Sequence, residues 1–467
     1  MSSMSFPPQT IGHSCQGRPL TLHFTGSAQA ANRVLVIAGQ HGDERIARRA
    51  AERWLERFRG EDVHVAALLD ANPDGACGRQ RRNADGVDLN RDHQLLIAPE
   101  TQAIHRFARQ WKPNLIIDVH TYPPRREHLL AKGLVHANDV FIDIANNPTA
   151  CHGTAWAKPL QDALPQWIVG VRERGFRCDR YTLITQSSRH TPCAATEAKT
   201  SPRRRTAQET VPATICVRHS TPDITDARNG LALSLGVPTV LLEGRERTRF
   251  DQRSAKRRTR DALTTALDII VKEAPVRWPS VAVEPSDASV PTSLPIRSRY
   301  AENPHAHELD FFDATHQEVR RVRLPGPYQS RLTNSQVEPT AIAYAVPWRC
   351  DKLLEVLRRH GVKTGTVNLD QTRTVQTRVR RVESSPHALR PPRRLRTHRT
   401  EIEADLSAHQ IIPVTATNAR LLTALLEAHS KYGLCRYPHL GIYPQAGEPF
   451  AILRLEPAER AASCAVN

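Results

Sequence analysis

Hydrophobic positions in the N-terminal half of the chain alternate between two spacings. Arg33–Gly39 (RVLVIAG) is a branched apolar run closed by glycine, which predicts a buried strand. An amphipathic helix is predicted next by the spacing of Ile46, Ala50, Trp54, Leu55 and Phe58. Further strands are predicted at 62–69, 114–119 and near 238, with helices around 104–111 and 263–270. This order is typical of an α/β fold, a mixed, mostly parallel sheet with helices on both faces and the site at the carboxyl ends of its strands.

The composition changes after the last of these helices. Six prolines between 275 and 304 make residues 274–307 a predicted Pro/Ser-rich linker between domains 1–273 and 308–467. Leucine stripes at 353–357 and 421–426 predict a smaller C-terminal α+β unit, whose role the sequence leaves open. The basic stretch His387–Thr400 inside this unit is predicted to be an exposed loop.

Composition narrows the class of protein. Hydrophobic residues at 39% and charged residues at 24% indicate a globular chain, and no apolar run is long enough to span a membrane. The net charge is +17, and 56 of the 65 basic residues are Arg, spread along the whole sequence. Because aromatic residues are only 5% and no nucleic-acid motif accompanies the charge, we interpret these Arg as solvated surface groups rather than a nucleic-acid footprint.

Cysteine usage bears on the compartment. The nine cysteines contain no C-x-x-C pair, so they predict neither a disulfide framework nor a cysteine zinc site. The first seventeen residues lack the charged start and apolar core of a signal peptide, and a cytoplasmic location is therefore expected.

Polar residues capable of binding metal follow two predicted strands. His41 and Glu44 come just after the first strand and, three residues apart, would face the same way on a first helical turn. His120 follows the strand at 114–119, with Asp118 two residues earlier. Imidazole nitrogens and a carboxylate oxygen suit Zn²⁺, and three protein ligands leave a fourth position open, as in catalytic zinc sites.

The residues between these candidates carry a family resemblance. They contain Asn72-Pro73-Asp74-Gly75 and Asp88-Leu89-Asn90-Arg91, and residues 11–20 read IGHSCQGRPL. Together with H-x-x-E and the later histidine, these motifs resemble the carboxypeptidase A-like zinc metallocarboxypeptidase family. The resemblance covers about residues 9–273, and a looser one links the C-terminal part to the extension of many bacterial relatives.

Position by position, the resemblance implies a complete catalytic site. One zinc ion per chain would be held by His41, Glu44 and His120, with Asp88 orienting a ligand histidine. Asn90 and Arg91 would bind the substrate's terminal carboxylate, and Arg81, with Arg82 as a close competitor, would stabilise the oxyanion. Glu243, at the end of the strand near 238, would be the general base; its alternative is an ion pair with Arg245 or Arg247.

One feature departs from the family. Animal-type relatives carry a mobile Tyr about two dozen residues before the catalytic Glu, but Ile215–Gly236 contains no Tyr. The nearest candidates, Tyr122 and Tyr181, do not have the expected spacing.

The resemblance therefore implies a zinc metallocarboxypeptidase that hydrolyses an amide next to a free carboxylate. Its substrate would be a peptide or an acyl-amino acid. Alternatives on the same scaffold are a murein peptide amidase and an N-acyl amino acid deacylase. A hypothesis from another class is an inactive peptidase scaffold that binds anionic polymers through its positive charge. The sequence does not indicate an oligomeric state.

Overall fold

The structure is a computed structural model that describes residues 7–124, 133–187, 214–219, 221–246, 254–277, 289–303, 307–313, 316, 318–323, 328–383 and 394–458. Its strands are β1 Gln9–His13, β2 Pro19–Gly26, β3 Asn32–Ala38, β4 Val63–Leu68, β5 Leu115–Tyr122, β6 Leu134–His136, β7 Val140–Ile144, β8 Cys178–Arg180, β9 Thr182–Ser187, β10 Thr214–His219, β11 Thr239–Arg245, β12 Ser293–Asn303, β13 Glu308–Asp313, β14 Glu318–Arg323, β15 Tyr328–Pro339, β16 Ala343–Pro347, β17 Thr372–Glu383, β18 Arg394–Glu401, β19 His409–Pro413 and β20 Pro449–Pro457. Its α-helices are α1 Arg45–Arg57, α2 Pro73–Gly78, α3 Pro99–Trp111, α4 Pro148–Cys151, α5 Ala157–Glu173, α6 Ala227–Leu235, α7 Ala255–Arg277, α8 Asp351–Arg359 and α9 Ala419–Leu426. None of the helices in these ranges is both long and apolar enough to cross a bilayer.

An eight-stranded mixed sheet organises the N-terminal part of the chain, in the order β1-β2-β4-β3-β5-β11-β7-β8. The four central strands, β4, β3, β5 and β11, are mutually parallel. The predicted α/β class with a mostly parallel centre is confirmed. The strands and helices predicted in this part are found within a few residues of their expected bounds, apart from α3 and α7, whose observed ends extend beyond the predicted stretches.

Alternation along β3 shows how the sheet buries both of its faces. Val34 and Val36 belong to the cluster of buried residues that contains Trp54 of α1 and Leu263 of α7. The intervening Leu35 belongs to a second cluster, which contains residues of α3 and α6. A strand covered by helices on both sides needs apolar residues at every position, which explains the uninterrupted apolar run.

The C-terminal part does not form a core of its own. Its five-stranded sheet has the order β18-β17-β20-β16-β19, and its buried Tyr344, Leu353 and Leu422 lie in the same hydrophobic cluster as Trp54 and Trp156. Strand pairs also join the two parts, because β13 pairs with β6 and β15 pairs with β10. The two parts of the chain are therefore packed around one continuous core.

Two segments differ from the sequence-based expectation. The predicted linker 274–307 contains the end of α7 and β12, which pairs with β15 along most of its length; residues 278–288 lie outside the described residues. The predicted loop 387–400 is a strand from Arg394 onward, paired with β17, and 384–393 lie outside the described residues. Proline and arginine are poor strand markers, but edge positions accept proline and exposed strand faces accept charge.

Buried polar contacts join the C-terminal part to α6 and to the loop that precedes α3. Gln94, only 2% exposed, donates to the Tyr432 carbonyl over 2.6 Å and accepts from the Tyr437 hydroxyl over 2.9 Å. His360, just after α8, lies 2.9 Å from the Gln94 carbonyl through Nε2 and 3.0 Å from the Ser234 hydroxyl through Nδ1. A neutral imidazole satisfies both contacts, with Nε2–H donating and Nδ1 accepting.

We expect this interface to weaken as the pH falls. Burial, opposed by the Gln94 carbonyl and reinforced by nearby Arg109, lowers the pKa of His360 to about 4. In the unfolded chain His360 takes up a proton near pH 6.5, so the stability present above that pH is lost as the pH falls toward 4. Between pH 7 and pH 5 the loss from this one group is on the order of 2 kcal/mol. Denaturant unfolding of wild type and His360→Gln at both pH values measures it: the variant should lose less stability, and equal losses would contradict the assignment.

Candidate active site

Three neighbouring parallel strands deliver the predicted site residues to one edge of the main sheet. β3 ends at Ala38, two residues before Gln40 and three before His41. In β5 and β11, His120 and Glu243 are register partners, so they lie side by side on the sheet. Both lie within their strands rather than after them, because β5 continues to Tyr122 and β11 to Arg245.

His41 and Glu44 occupy a tight turn rather than the first helical turn that the sequence predicted. The Glu44 N–H donates to the His41 carbonyl over 3.2 Å, and α1 begins only at Arg45. Gly42 within this turn lies against Gly75, and a Cβ on Gly42 would stand 2.0 Å from the Gly75 carbonyl carbon. The H-G-D-E and N-P-D-G motifs are therefore packed directly against each other, which only glycine at 42 permits.

Acceptor atoms converge where these elements meet. Nδ1 of His41 lies 2.5 Å from Glu44 Oε1 and 3.2 Å from His120 Nδ1, and His120 Nδ1 lies 3.0 Å from Glu44 Oε2. All three side chains are at most 5% exposed. The sequence-predicted ligands His41, Glu44 and His120 thus form one buried cluster.

The second nitrogen of each ring determines what this cluster can bind. Nε2 of His41 lies 3.1 Å from Asp88 Oδ1, and Nε2 of His120 lies 2.9 Å from Asp118 Oδ2. A carboxylate accepts, so Asp88 and Asp118 satisfy a proton on each Nε2, and each Nδ1 is then available to present a lone pair to the cluster. Two imidazole nitrogens and one carboxylate that meet in a buried space are a ligand set that suits zinc.

A second acidic group shows the contrast. Cys15, Asp74 and Glu100 also lie close enough to share an ion. Their carboxylate oxygens, however, already accept hydrogen bonds. Asp74 accepts from the Ser14 hydroxyl and the Gln16 N–H, and Glu100 accepts from the Cys15 N–H and the Asn83 amide. Burial raises the pKa of the Cys15 thiol to about 12, so it stays protonated. This group ties the N-terminal segment to α2 and α3 and does not resemble a metal site.

Arg81 and Arg82 are separated by the structure. Arg81 donates from Nε to Asp88 Oδ2 over 3.1 Å and brings Nη1 to 3.8 Å from Glu44 Oε1. Arg82 instead donates to the Gly86 carbonyl over 2.9 Å. Burial of Asp88 is outweighed by the hydrogen bond from His41 and by nearby Arg81 and Arg91, which hold its pKa well below the usual range. Arg81 therefore borders the cluster, with a guanidinium that remains partly exposed.

Asn90 and Arg91 take different positions. The Asn90 side chain is 7% exposed, accepts from the Ala227 N–H over 2.8 Å and lies 3.2 Å from Nε2 of His120. Arg91 is exposed, with Nη1 donating to the Asn90 carbonyl. The geometry places the Asn90 amide against a ligand histidine, while Arg91 keeps further donors for a bound anion.

Glu243 lies beside the cluster in the cleft. It is partly exposed, and among the described residues it makes no salt bridge. Arg245, one of its predicted alternative partners, donates instead to the His136 carbonyl over 2.7 Å, and Arg247 lies outside the described residues. Burial of the carboxyl, reinforced by Glu44 and opposed by His120, raises its pKa above the usual range. A carboxylate with this pKa is suited to accept and return a proton.

The tyrosine candidates are not at the cluster. Tyr122 is 2% exposed and donates to the Asn138 carbonyl over 2.6 Å, so its hydroxyl is committed in the interior. Tyr181 packs its ring on Phe141, with 5.7 Å between ring centres. The basic insert at 200–209 lies outside the described residues.

Three supporting residues had no role assigned to them by the sequence interpretation, although Asp118 was noted beside His120. Asp118 holds His120, and Gln40 donates to Asp118 over 2.7 Å while accepting from His93 over 2.8 Å. All three are completely buried. The spacing D-x-H was a signal for Asp118, because alternate residues of one strand share a face. No sequence pattern marked Gln40 or His93.

Known proteins resemble part of this chain. Residues 6–124 match the sequence model of the family described as zinc carboxypeptidase. Murein peptide amidase A of Escherichia coli strain K12 is 33% identical over 105 residues, 22% of this chain and 43% of the relative. Carboxypeptidase SOL1 of Arabidopsis thaliana is 32% identical over 126 residues, 21% of this chain and 26% of the relative. The chain thus matches less than half the length of these relatives.

The fold also resembles solved structures. A metallo-carboxypeptidase from Burkholderia cenocepacia aligns over 57% of this chain and 64% of its own, with 14% identity and a TM-score of 0.38. The sequence match covers the turn with His41 and Glu44, the N-P-D-G and D-L-N-R motifs and β5 with His120. Residues 6–124, which match the zinc carboxypeptidase model, supply all three residues of the metal-binding cluster.

Proposed function

We propose that this protein is a zinc-dependent metallocarboxypeptidase that hydrolyses an amide bond next to a free terminal carboxylate. The observation that carries the proposal is the convergence of His41 Nδ1, Glu44 and His120 Nδ1 on one buried point, beside a carboxyl group of raised pKa at Glu243. Zinc, when bound by these three residues, supplies Lewis-acid chemistry at the cluster.

The chain's own residues then have separate tasks. Arg91, exposed at the mouth of the site, binds the substrate's carboxylate through its planar guanidinium. Arg81 donates to the oxygen that becomes negative as the scissile carbonyl is attacked. Glu243 takes the proton of the attacking water and returns it to the leaving amine. Asp88 and Asp118 keep both ligand rings in the tautomer that exposes Nδ1.

A murein peptide amidase is the second candidate. It is favoured by the 33% identity to murein peptide amidase A over 105 residues. Both reactions cleave an amide, so they use the same residues of this chain. The position of the carboxylate relative to the scissile bond distinguishes them, and a deacylase would require an N-acyl amino acid instead.

Metal content tests the cluster. We expect about one zinc per chain in purified protein, because His41, Glu44 and His120 present free acceptors whereas the Cys15 group does not. Elemental analysis after dialysis should show His120→Ala with at least tenfold lower occupancy, while Asp74→Asn and the exposed-site control His152→Ala keep full occupancy. Two zinc ions per chain, or unchanged zinc in His120→Ala, would place the metal elsewhere.

Replacement of the proposed base separates chemistry from metal binding. Glu243→Gln should lower kcat by about 10²–10⁴-fold, the range for loss of a positioned acid–base group, while zinc content stays unchanged. Glu246→Gln, three residues along and bonded to Thr121, is the matched control and should keep most of the activity. Similar kcat values for the two variants would remove Glu243 from the reaction.

The substrate class is tested by a panel assayed with wild type and Arg91→Gln. The panel contains a peptide with a free C-terminus, its amide, a γ-D-glutamyl–diaminopimelate peptide and an N-acetyl amino acid. For a carboxypeptidase, the free peptide should be cleaved and the amide spared, and Arg91→Gln should raise KM roughly tenfold or more, as expected for loss of a charged hydrogen bond. Arg82→Gln serves as the control. Cleavage of only the diaminopimelate peptide would select the amidase instead.

A further inference from the structure

A cavity of about 930 Å³ lies at the opposite edge of the main sheet from the candidate active site. It is bordered by Arg33, Asn114 and Val237, near the starts of β3, β5 and β11, whereas the active site lies toward the ends of the same strands. The seven residues of β3 span roughly 20 Å between the cavity and the candidate active site. The cavity is therefore distinct from the catalytic site.

Both parts of the chain build its wall. The N-terminal part contributes the ends of α3 and α6, and the C-terminal part contributes the segment after α8 and the start of α9. Such a junction is a common location for ligand sites, and the volume falls in the usual range for small-molecule pockets.

The charge of the wall is one-sided. Five basic residues line it and, within the parts of the chain that the structure describes, no Asp or Glu does: the basic residues are Arg33, Arg109, Lys112, Lys363 and Arg420. Some of this charge is balanced by helix ends, because Arg33 donates to the Trp111 carbonyl over 2.8 Å and Arg109 to the Arg359 carbonyl over 2.7 Å. A helix C-terminus carries only about half a negative charge, so the three helices that end here leave a net positive wall.

Arg109 has a hydrogen-bond donor that is not satisfied within the described residues. Its Nη1 is buried and has no hydrogen-bond partner among the described residues. Burial and the neighbouring Arg106 lower the pKa of this guanidinium, as expected for a cation without a carboxylate partner. The side chain lies across Gly361, where a Cβ would stand 2.8 Å from Arg109 Nε. Gly361, with a φ of +79°, thus ends α8 and also makes room for the guanidinium.

The rest of the wall is mixed. It combines hydroxyl, amide and imidazole groups with the apolar side chains of Trp156, Leu233, Leu235, Val362 and Leu421. A purely inorganic anion would leave this surface wet, and a neutral apolar molecule would leave the cations without a partner. The two surfaces together match a molecule with an acidic head and an apolar body.

We infer that this cavity is a binding site for a small amphiphilic organic anion. Its carboxylate or phosphate head is held by Arg109 with Lys363 and Arg33, and its apolar body lies against Trp156 and Leu421. The inference does not depend on the hydrolytic activity, and the site binds its ligand without zinc.

Calorimetric titration of the full chain tests the site with octyl phosphate and octanoate, which differ only in the source of the acidic head. We expect at least one of them to bind at one site per chain, and the better of the two identifies the head group. Octanol and inorganic phosphate, which each lack one half of the chemistry, should bind at least tenfold more weakly. An equally tight octanol or phosphate complex, or no binding of either amphiphile, would overturn the inference.

Variants locate the bound molecule. Arg109→Gln and the exposed Lys363→Gln should each weaken binding about tenfold or more, the effect of losing one charge-assisted contact. Arg106→Gln, on the same helix but bonded to the Ile11 carbonyl, is the matched control and should bind like wild type. Loss of binding in Arg91→Gln with retention in Lys363→Gln would place the molecule at the candidate active site and overturn the assignment. Thermal unfolding of each free variant establishes that it is folded.

Discussion

The close approach of two imidazoles and a carboxylate is the constraint around which the N-terminal part of the molecule is arranged. Two ring nitrogens and a carboxylate are held in mutual contact inside the protein, where no water can separate them. Such an arrangement is stable only if each group is also held by a hydrogen bond on the side that faces away from the cluster. Asp88 and Asp118 hold the outer nitrogens, the Thr121 N–H holds Glu44, and buried Gln40 braces Asp118. The protein thereby commits interior polar groups to orienting three side chains that together can hold a metal ion.

Much of the N-terminal fold could be predicted because its strands are buried on both faces. Uninterrupted apolar runs such as Val34–Ala38 leave little ambiguity, and the positions of His41 and His120 follow from the ends of those runs. Side-chain direction could not be read in the same way. Whether Asn90 faces substrate or a ligand histidine depends on the Ala227 N–H, which lies 137 positions away in sequence. Local periodicity carries no information on such a contact.

The C-terminal part illustrates the other limit of sequence interpretation. A stretch with many prolines was taken for a linker, yet Pro295 lies inside β12 and is buried. The strand exists because β15 and α4 lie against it, so tertiary pairing outweighs local propensity. The arginine-rich segment of β18 was likewise predicted to be a loop, but it pairs with β17. The amino-acid composition showed where the chain changes, whereas the strands that form there depend on pairing with segments far along the sequence.

The pairing of β6 with β13 has a consequence for the order of assembly. Phe311 and Phe312 of β13 lie opposite His136 and Val135 of β6. β6 therefore gains its partner strand from a segment about 175 residues further along the chain. During synthesis, the ribosome would release the complete metal-binding segment well before its covering strands. Apolar surface around Trp156 would stay exposed in that interval, when collapsed chains are most prone to associate. The C-terminal part is synthesised last, and its residues complete the shared hydrophobic core and the sheet that contains β6.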